Sequence, residues 1–150
     1  MNNQLVAKVI HGAHAHVDPL AVFEGLTCEQ LQKYESDHSF SVWQLLNHMN
    51  YWQLFVVEML EGENPNPPER DEDSWISSEF PDGAEELSQI VDDFKNGIKK
   101  LIEEAEKPME EIIPHTDGTS REEILMDIAL HNSYHAGQVV HIRKRHKDWN

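Results

Sequence analysis

The chain has 150 residues, of which 39% are apolar, with four Trp, five Phe and three Tyr: enough for one core and too much for a disordered chain. Twenty-eight Asp and Glu against twelve Lys and Arg give a formal charge of −16, a field that repels phosphate backbones and anionic lipid and argues against nucleic-acid and membrane partners. A single cysteine, Cys28, excludes an intrachain disulfide and reads as a reducing, cytoplasmic setting.

The opening Met1-Asn2-Asn3-Gln4 lacks the basic patch and apolar run of a signal peptide. Periodicity is helical nearly throughout, without a convincing two-residue alternation, and predicts one all-α domain over residues 1–150. A first helix is expected over 4–25, with Leu5, Val9, Ala13 and His16 on one side and Pro19 kinking or restarting it. Thr27-Cys28-Glu29-Gln30 has the form of a capping box and opens a short helical turn at 29–34, followed by a polar loop at 35–39. Ser41-Val42-Trp43-Gln44 is a second capping box, and the helix it starts runs to Glu61, where Gly62 stops it. Its apolar residues surround most of the cylinder, so it should be largely buried; even so, its most apolar stretch, 54–60, contains Glu58 and is far shorter than the ~20 apolar residues of a membrane span.

Residues 63–81 carry Pro65, Pro67, Pro68 and Pro81 and read as a long crossover, with Trp75, Ile76 and Phe80 packing back on the bundle. A third helix is expected over 83–106, with Asp82 as N-cap, a buried stripe of Leu87, Ile90, Val91, Phe94, Ile98, Leu101 and Ile102, and Pro108 beyond its end. After a second connection at 109–118, Thr119 or Ser120 caps a last helix that runs to about Lys147, its basic end complementing the helix dipole. Four helices and two long connections predict a four-helix bundle with crossovers.

Ten histidines in this length are unusual, and their placement narrows their meaning. His131 and His135 are four apart, one turn apart on one helix face, and share the core-facing stripe with Ile124, Ile128, Val139 and Ile142. His48 lies within the apolar stripe of Leu45, Trp52, Phe55 and Met59. Each unpartnered buried imidazole costs about 1–3 kcal/mol, and one divalent metal ion would satisfy all three, provided the two helices are neighbours. The plain alternative is that the rings pair with core polar groups and hold no ion.

Two stretches also resemble a known family. Phe40-Ser41-Val42-Trp43-Gln44-Leu45-Leu46-Asn47-His48-Met49-Asn50-Tyr51-Trp52 resembles the second-helix motif of the DinB-like family. His131-Asn132-Ser133-Tyr134-His135-Ala136-Gly137-Gln138 resembles its fourth-helix motif, H-x-x-x-H followed by Gly-Gln. The resemblance covers nearly the whole domain. It implies a four-helix bundle, a three-histidine metal site on His48, His131 and His135, and in many members a homodimer. It also implies chemistry that is mostly thiol-dependent: S-transfer or isomerisation with a low-molecular-weight thiol such as bacillithiol, mycothiol or glutathione. Other members are regarded as metal-dependent hydrolases. Although the family name suggests DNA damage, nothing in this sequence looks able to bind DNA.

Three neutral ligands leave coordination positions open, the arrangement of catalytic rather than structural zinc; zinc or nickel, and less selectively iron or copper, suit imidazole donors. The expected function is therefore a metal-dependent S-transferase acting on small electrophiles, with a hydrolase or a non-enzymatic metal or small-ligand binding protein as rivals. A hydrolase needs a general base, for which Glu24, His14 and His16 are the candidates. His11, His14 and His16 do not share one helix face; His38 and His115 fall in loops; Cys28 sits at a helix start, a setting that can acidify a thiol, but has no histidine close in sequence to act as its base.

Overall fold

The computed structural model describes residues 2–34 and 39–149. The described residues form five α-helices: α1 (Asn3–Ile10), α2 (Cys28–Lys33), α3 (Val42–Leu60), α4 (Ala84–Glu104) and α5 (Arg121–Arg145). Two short 3-10 turns, Ala21–Phe23 and Asp71–Ser74, interrupt the connections. α3 packs against α4 and α5, and α1 packs against the same two, so α1, α4, α3 and α5 close a ring around one core. This is the expected all-α bundle of four helices, with α2 as an accessory turn. Among the described residues no helix is long and apolar enough to cross a membrane.

Local chemistry explains most boundaries. The Ser41 side chain accepts from the Gln44 backbone N–H while the Gln44 side chain accepts from the Ser41 N–H at 2.9 Å, a reciprocal capping box. Thr27 with Gln30 starts α2 in the same way, and Ser120 with Glu123 starts α5, which settles Ser120 over Thr119 as its cap. α4 differs from expectation. Its N-cap is Gly83, and Asp82 instead donates its backbone N–H to the Glu86 carboxylate at 2.6 Å.

The first helix is shorter than its periodicity suggests. It ends at Ile10, where Gly12 (φ 88°) and Ala13 (φ 49°) both take left-handed conformations that no helix can continue through. The inward residues are Val6 and Ile10, both essentially inaccessible, whereas Leu5 is 46% exposed. The stripe is thus rotated by one position from the one drawn through Leu5, Val9, Ala13 and His16. The polar stretch at 35–38, including His38, lies outside the described residues.

Two buried arginines were not anticipated. Arg121 Nε donates to the Pro108 carbonyl at 3.2 Å, and its guanidinium pairs with Glu104, itself buried, and with Glu111. This ties the second connection to the start of α5. Arg143, within the basic end of α5, donates to the carbonyls of Val22 at 2.8 Å and Glu24 at 3.0 Å, and its Nε lies 3.2 Å from an Asp148 carboxylate oxygen. It therefore satisfies the carbonyls of the Ala21–Phe23 turn rather than serving as solvated helix-end charge.

Candidate metal centre

α3 and α5 are direct neighbours, the condition under which His48 and the His131/His135 pair can meet. They do. One donor nitrogen from each of the three rings lies within 4.8 Å of the others. His48 Nε2 and His131 Nε2 are 3.2 Å apart, close to the ~3.4 Å expected between imidazole nitrogens that share a tetrahedral ion at 2.0–2.1 Å. His48 and His135 are buried, and His131 is half-buried.

Hydrogen bonds decide which nitrogens are available. His48 Nδ1 is 3.2 Å from both the carbonyl and the hydroxyl oxygen of Ser74. The Ser74 hydroxyl donates to Asp71 O at 2.8 Å, so it can only accept from the ring. Nδ1 of His48 therefore carries the proton, and Nε2 presents a lone pair. His135 Nδ1 donates to Gln138 Oε1 at 2.6 Å, which leaves its Nε2 bare as well. His131 Nδ1 is buried with no hydrogen-bond partner among the described residues. Bare imidazole nitrogens facing one another at such distances repel unless a proton or a cation lies between them. The donor set thus fits a divalent ion on three neutral imidazoles.

Electrostatics agree. Burial pushes the His48 imidazole down to about 4, with nearby His135 adding to the effect and the Ser74 carbonyl opposing it. Burial also takes His131 down to about 4, helped by His135 and His48. His135 is lowered for the same principal reason, against the pull of Gln138. At neutral pH all three rings are uncharged, the state a metal ligand needs.

The crossover between α3 and α4 completes the site. The Trp75 ring stacks on His48 with centroids 3.7 Å apart and 7° between planes, and Phe40 stacks on Trp75, also at 3.7 Å. Below the cluster, Asn132 Nδ2 donates to Gln53 Oε1 at 2.9 Å, and Gln53 Nε2 donates to the Phe94 carbonyl at 2.8 Å. This fully buried amide chain links α5, α3 and α4 one residue from His131. Trp75 was expected to pack on the bundle. The sequence assigns no role to Ser74, Gln138, Gln53 and Asn132, because a polar side chain's partner across a fold leaves no periodic trace in it.

The other candidates lie elsewhere. His16 Nδ1 donates to Val17 O at 2.7 Å, and its Nε2 is 2.5 Å from Ser133 Oγ. Ser133 points from the side of α5 opposite the two ligating positions. His14 and Glu24 are exposed, and His11 pairs with Asp18 at 2.6 Å. Cys28 opens α2 and lines a separate hollow with Leu87 and Val91. None of these joins the cluster.

A closed ring of four helices, with three imidazoles converging between α3 and α5, defines a helical bundle with a candidate mononuclear metal centre. The sequence model of the DinB superfamily matches residues 15–139, and the chain belongs to that superfamily. No curated protein and no solved structure matches it.

Proposed function

We propose that the chain is a metal-dependent enzyme that transfers a thiol cosubstrate to small electrophiles. The observation that carries this reading is the convergence of His48, His131 and His135 as neutral rings, two of them with tautomers fixed so that Nε2 faces the common centre. These three would hold a divalent ion, zinc or nickel, with positions left open for a ligand. Such an ion supplies Lewis acidity that favours the deprotonated form of a thiol or water near neutral pH. The chain does the rest. Ser74 and Gln138 orient two of the rings, burial keeps all three unprotonated, and Trp75 covers one face of His48 and excludes water from it.

Thiol transfer is favoured over hydrolysis by the surroundings of the cluster. Among the described residues no carboxylate joins the three imidazoles, and Glu24, His14 and His16 are placed away from them. The ion can ionise an attacking water by itself, but hydrolysis of an ester or amide also calls for a group beside it that protonates the leaving group. A thiol, already close to ionisation in water, needs only its anion stabilised.

The test begins with protein purified without a histidine tag. Bound metal should approach one equivalent per chain and fall below a tenth in His131→Ala. Less than a tenth in the wild type would overturn the metal reading. Glutathione, bacillithiol, mycothiol and cysteine are then assayed with 1-chloro-2,4-dinitrobenzene. Metal-dependent conjugation with any of them supports transfer; its absence with all four, in metal-loaded protein, favours a binding protein.

A further inference from the structure

Between the start of α3 and the C-terminal half of α5 lies a hollow of about 460 Å³, lined by Phe40, Leu45, Tyr134, Gly137, Gln138 and His141 among others. Two of its walls touch the histidine cluster and a third reaches it through Trp75. Phe40 stacks on Trp75, which stacks on His48. Tyr134 meets the His135 ring edge-on with centroids 5.1 Å apart. Gln138 holds the His135 Nδ1–H at 2.6 Å. The size is that of a small-molecule site. Despite a chain charge of −16, no Asp or Glu lines the hollow among the described residues, and neither does a Lys or Arg. Recognition there falls to two aromatic faces and to hydrogen-bonding groups on Ser39, Tyr134, Gln138 and His141.

We propose that this hollow is a ligand pocket behind the histidine centre, on the Nδ1 side of His135, that it takes an uncharged molecule with a flat apolar portion and an amide or hydroxyl group, and that Gln138 is the positioning residue joining pocket to centre. The proposal rests on the metal reading above and extends it. A carboxylate ligand would find no Lys or Arg among the described lining residues to clamp it, and desolvating an unpaired carboxylate is costly. A ligand that hydrogen-bonds the Gln138 amide shifts the acceptor of His135 Nδ1–H, and with it the basicity and orientation of the ring.

Gly137 provides the means of testing it. A Cβ built there meets nothing within 4 Å, so a larger side chain is accommodated by the helix and projects at the pocket wall. Benzamide, benzoate and benzylamine serve as probes, titrated by protein-observed NMR into metal-free and Co(II)-loaded protein. Benzamide should bind with a Kd on the order of 1 mM, as expected for so small a ligand, and both charged analogues at least tenfold more weakly. It should shift the visible d–d absorption of the Co(II) protein. Gly137→Leu should weaken benzamide at least tenfold with Co(II) stoichiometry unchanged. Gln138→Leu should weaken Co(II) binding by about 10–100-fold and abolish the benzamide-induced spectral shift. Undiminished binding in Gly137→Leu, benzoate or benzylamine binding as tightly as benzamide, or an unmoved Co(II) band at saturation each overturns the proposal. Failure of the metal reading looks different: the protein takes up no Co(II), yet benzamide still binds in a Gly137→Leu-sensitive way. Co(II)-loaded protein that ignores benzamide removes the pocket and leaves the metal reading standing.

Discussion

Gly97→Ala sets two physical effects against each other. By helix propensity alone, replacing a mid-helix glycine of α4 should stabilise the protein by about 1 kcal/mol. The structure reverses the sign. A Cβ at position 97 would run into the side-chain amide of Gln53, which is fully buried and held on both sides, donating to Phe94 O at 2.8 Å and accepting from Asn132 at 2.9 Å. Moving that amide leaves buried polar groups unsatisfied at a cost of about 1–3 kcal/mol. Forcing the extra carbon into a packed site costs about 1–3 kcal/mol more. After subtracting the propensity gain, the expected net loss is about 1–5 kcal/mol, or roughly 2–20 °C in Tm for a chain of this size. Gly137→Ala is the control, since a Cβ there meets nothing, and it should gain about 0.5–1 kcal/mol. Urea denaturation of both variants, with m-values compared, is the assay. A Gly97→Ala protein as stable as wild type would show that the amide chain yields freely and does not fix the contact between α3, α4 and α5.

The metal-free protein should lose stability as pH falls from about 6.5 towards 4. His48 and His131 accept protons only near 4 when folded, whereas unfolded imidazoles do so near the ordinary ~6.5, so the unfolded chain binds more protons in that window. Unfolding free energies measured from pH 7.5 to 4.5 should show this slope, and His131→Gln should reduce it by about one proton; an unchanged slope refutes the assignment. Trp75→Ala removes the ring stacked on His48 and should cost about 1–3 kcal/mol, given the half-exposed position, and weaken Co(II) binding, with Trp75→Phe restoring most of both. Equal Co(II) affinity in wild type and Trp75→Ala counts against a role for the crossover in the site. Arg121→Met leaves the buried Glu104 carboxylate, among the described residues, with Lys107 as its remaining ion partner and should cost about 3–5 kcal/mol, while Arg121→Met with Glu104→Met should recover most of the loss. A double variant no more stable than the single one would show that packing, and not the stranded charge, sets the cost.

What the sequence disclosed and what it withheld divide along physical lines. The capping boxes at Thr27, Ser41 and Ser120 are legible because cap and partner are three residues apart, within one local hydrogen-bonded turn. The inward placement of His48 and His135 is legible because helix periodicity fixes a residue's face relative to its apolar neighbours. The early end of α1 was hidden. Alanine is the best helix former, yet the exposed Ala13 sits at φ 49°, its N–H bonded back to the Lys8 carbonyl at 2.7 Å in a local helix-ending turn. Just before it, a Cβ at Gly12 would press into the His16 ring and its carbonyl, so only glycine permits that turn. The Gln53–Asn132 link and the Arg121 and Arg143 networks were hidden for another reason. Each joins residues that only the fold brings together, and no spacing along the chain announces them.

The crossover at 63–81 connects these observations to function. Two helices suffice to bring three imidazoles together, but they do not fix the tautomer of His48; the Ser74 oxygens do, from the 3-10 turn that ends the crossover's first half. The next residue, Trp75, lies flat on the same ring. Detaching this segment would free His48 Nδ1, expose the ring to water and raise its proton affinity, each of which weakens it as a ligand. The converse follows by linkage: an ion that binds the oriented, neutral ring stabilises the docked crossover by the same free energy. Metal loading should therefore slow amide hydrogen exchange at 71–76 more than in the middle of α4, which lies on the far side of α3. Uniform slowing across the bundle would mean that the ion stabilises the fold as a whole and that the crossover is a passive cover.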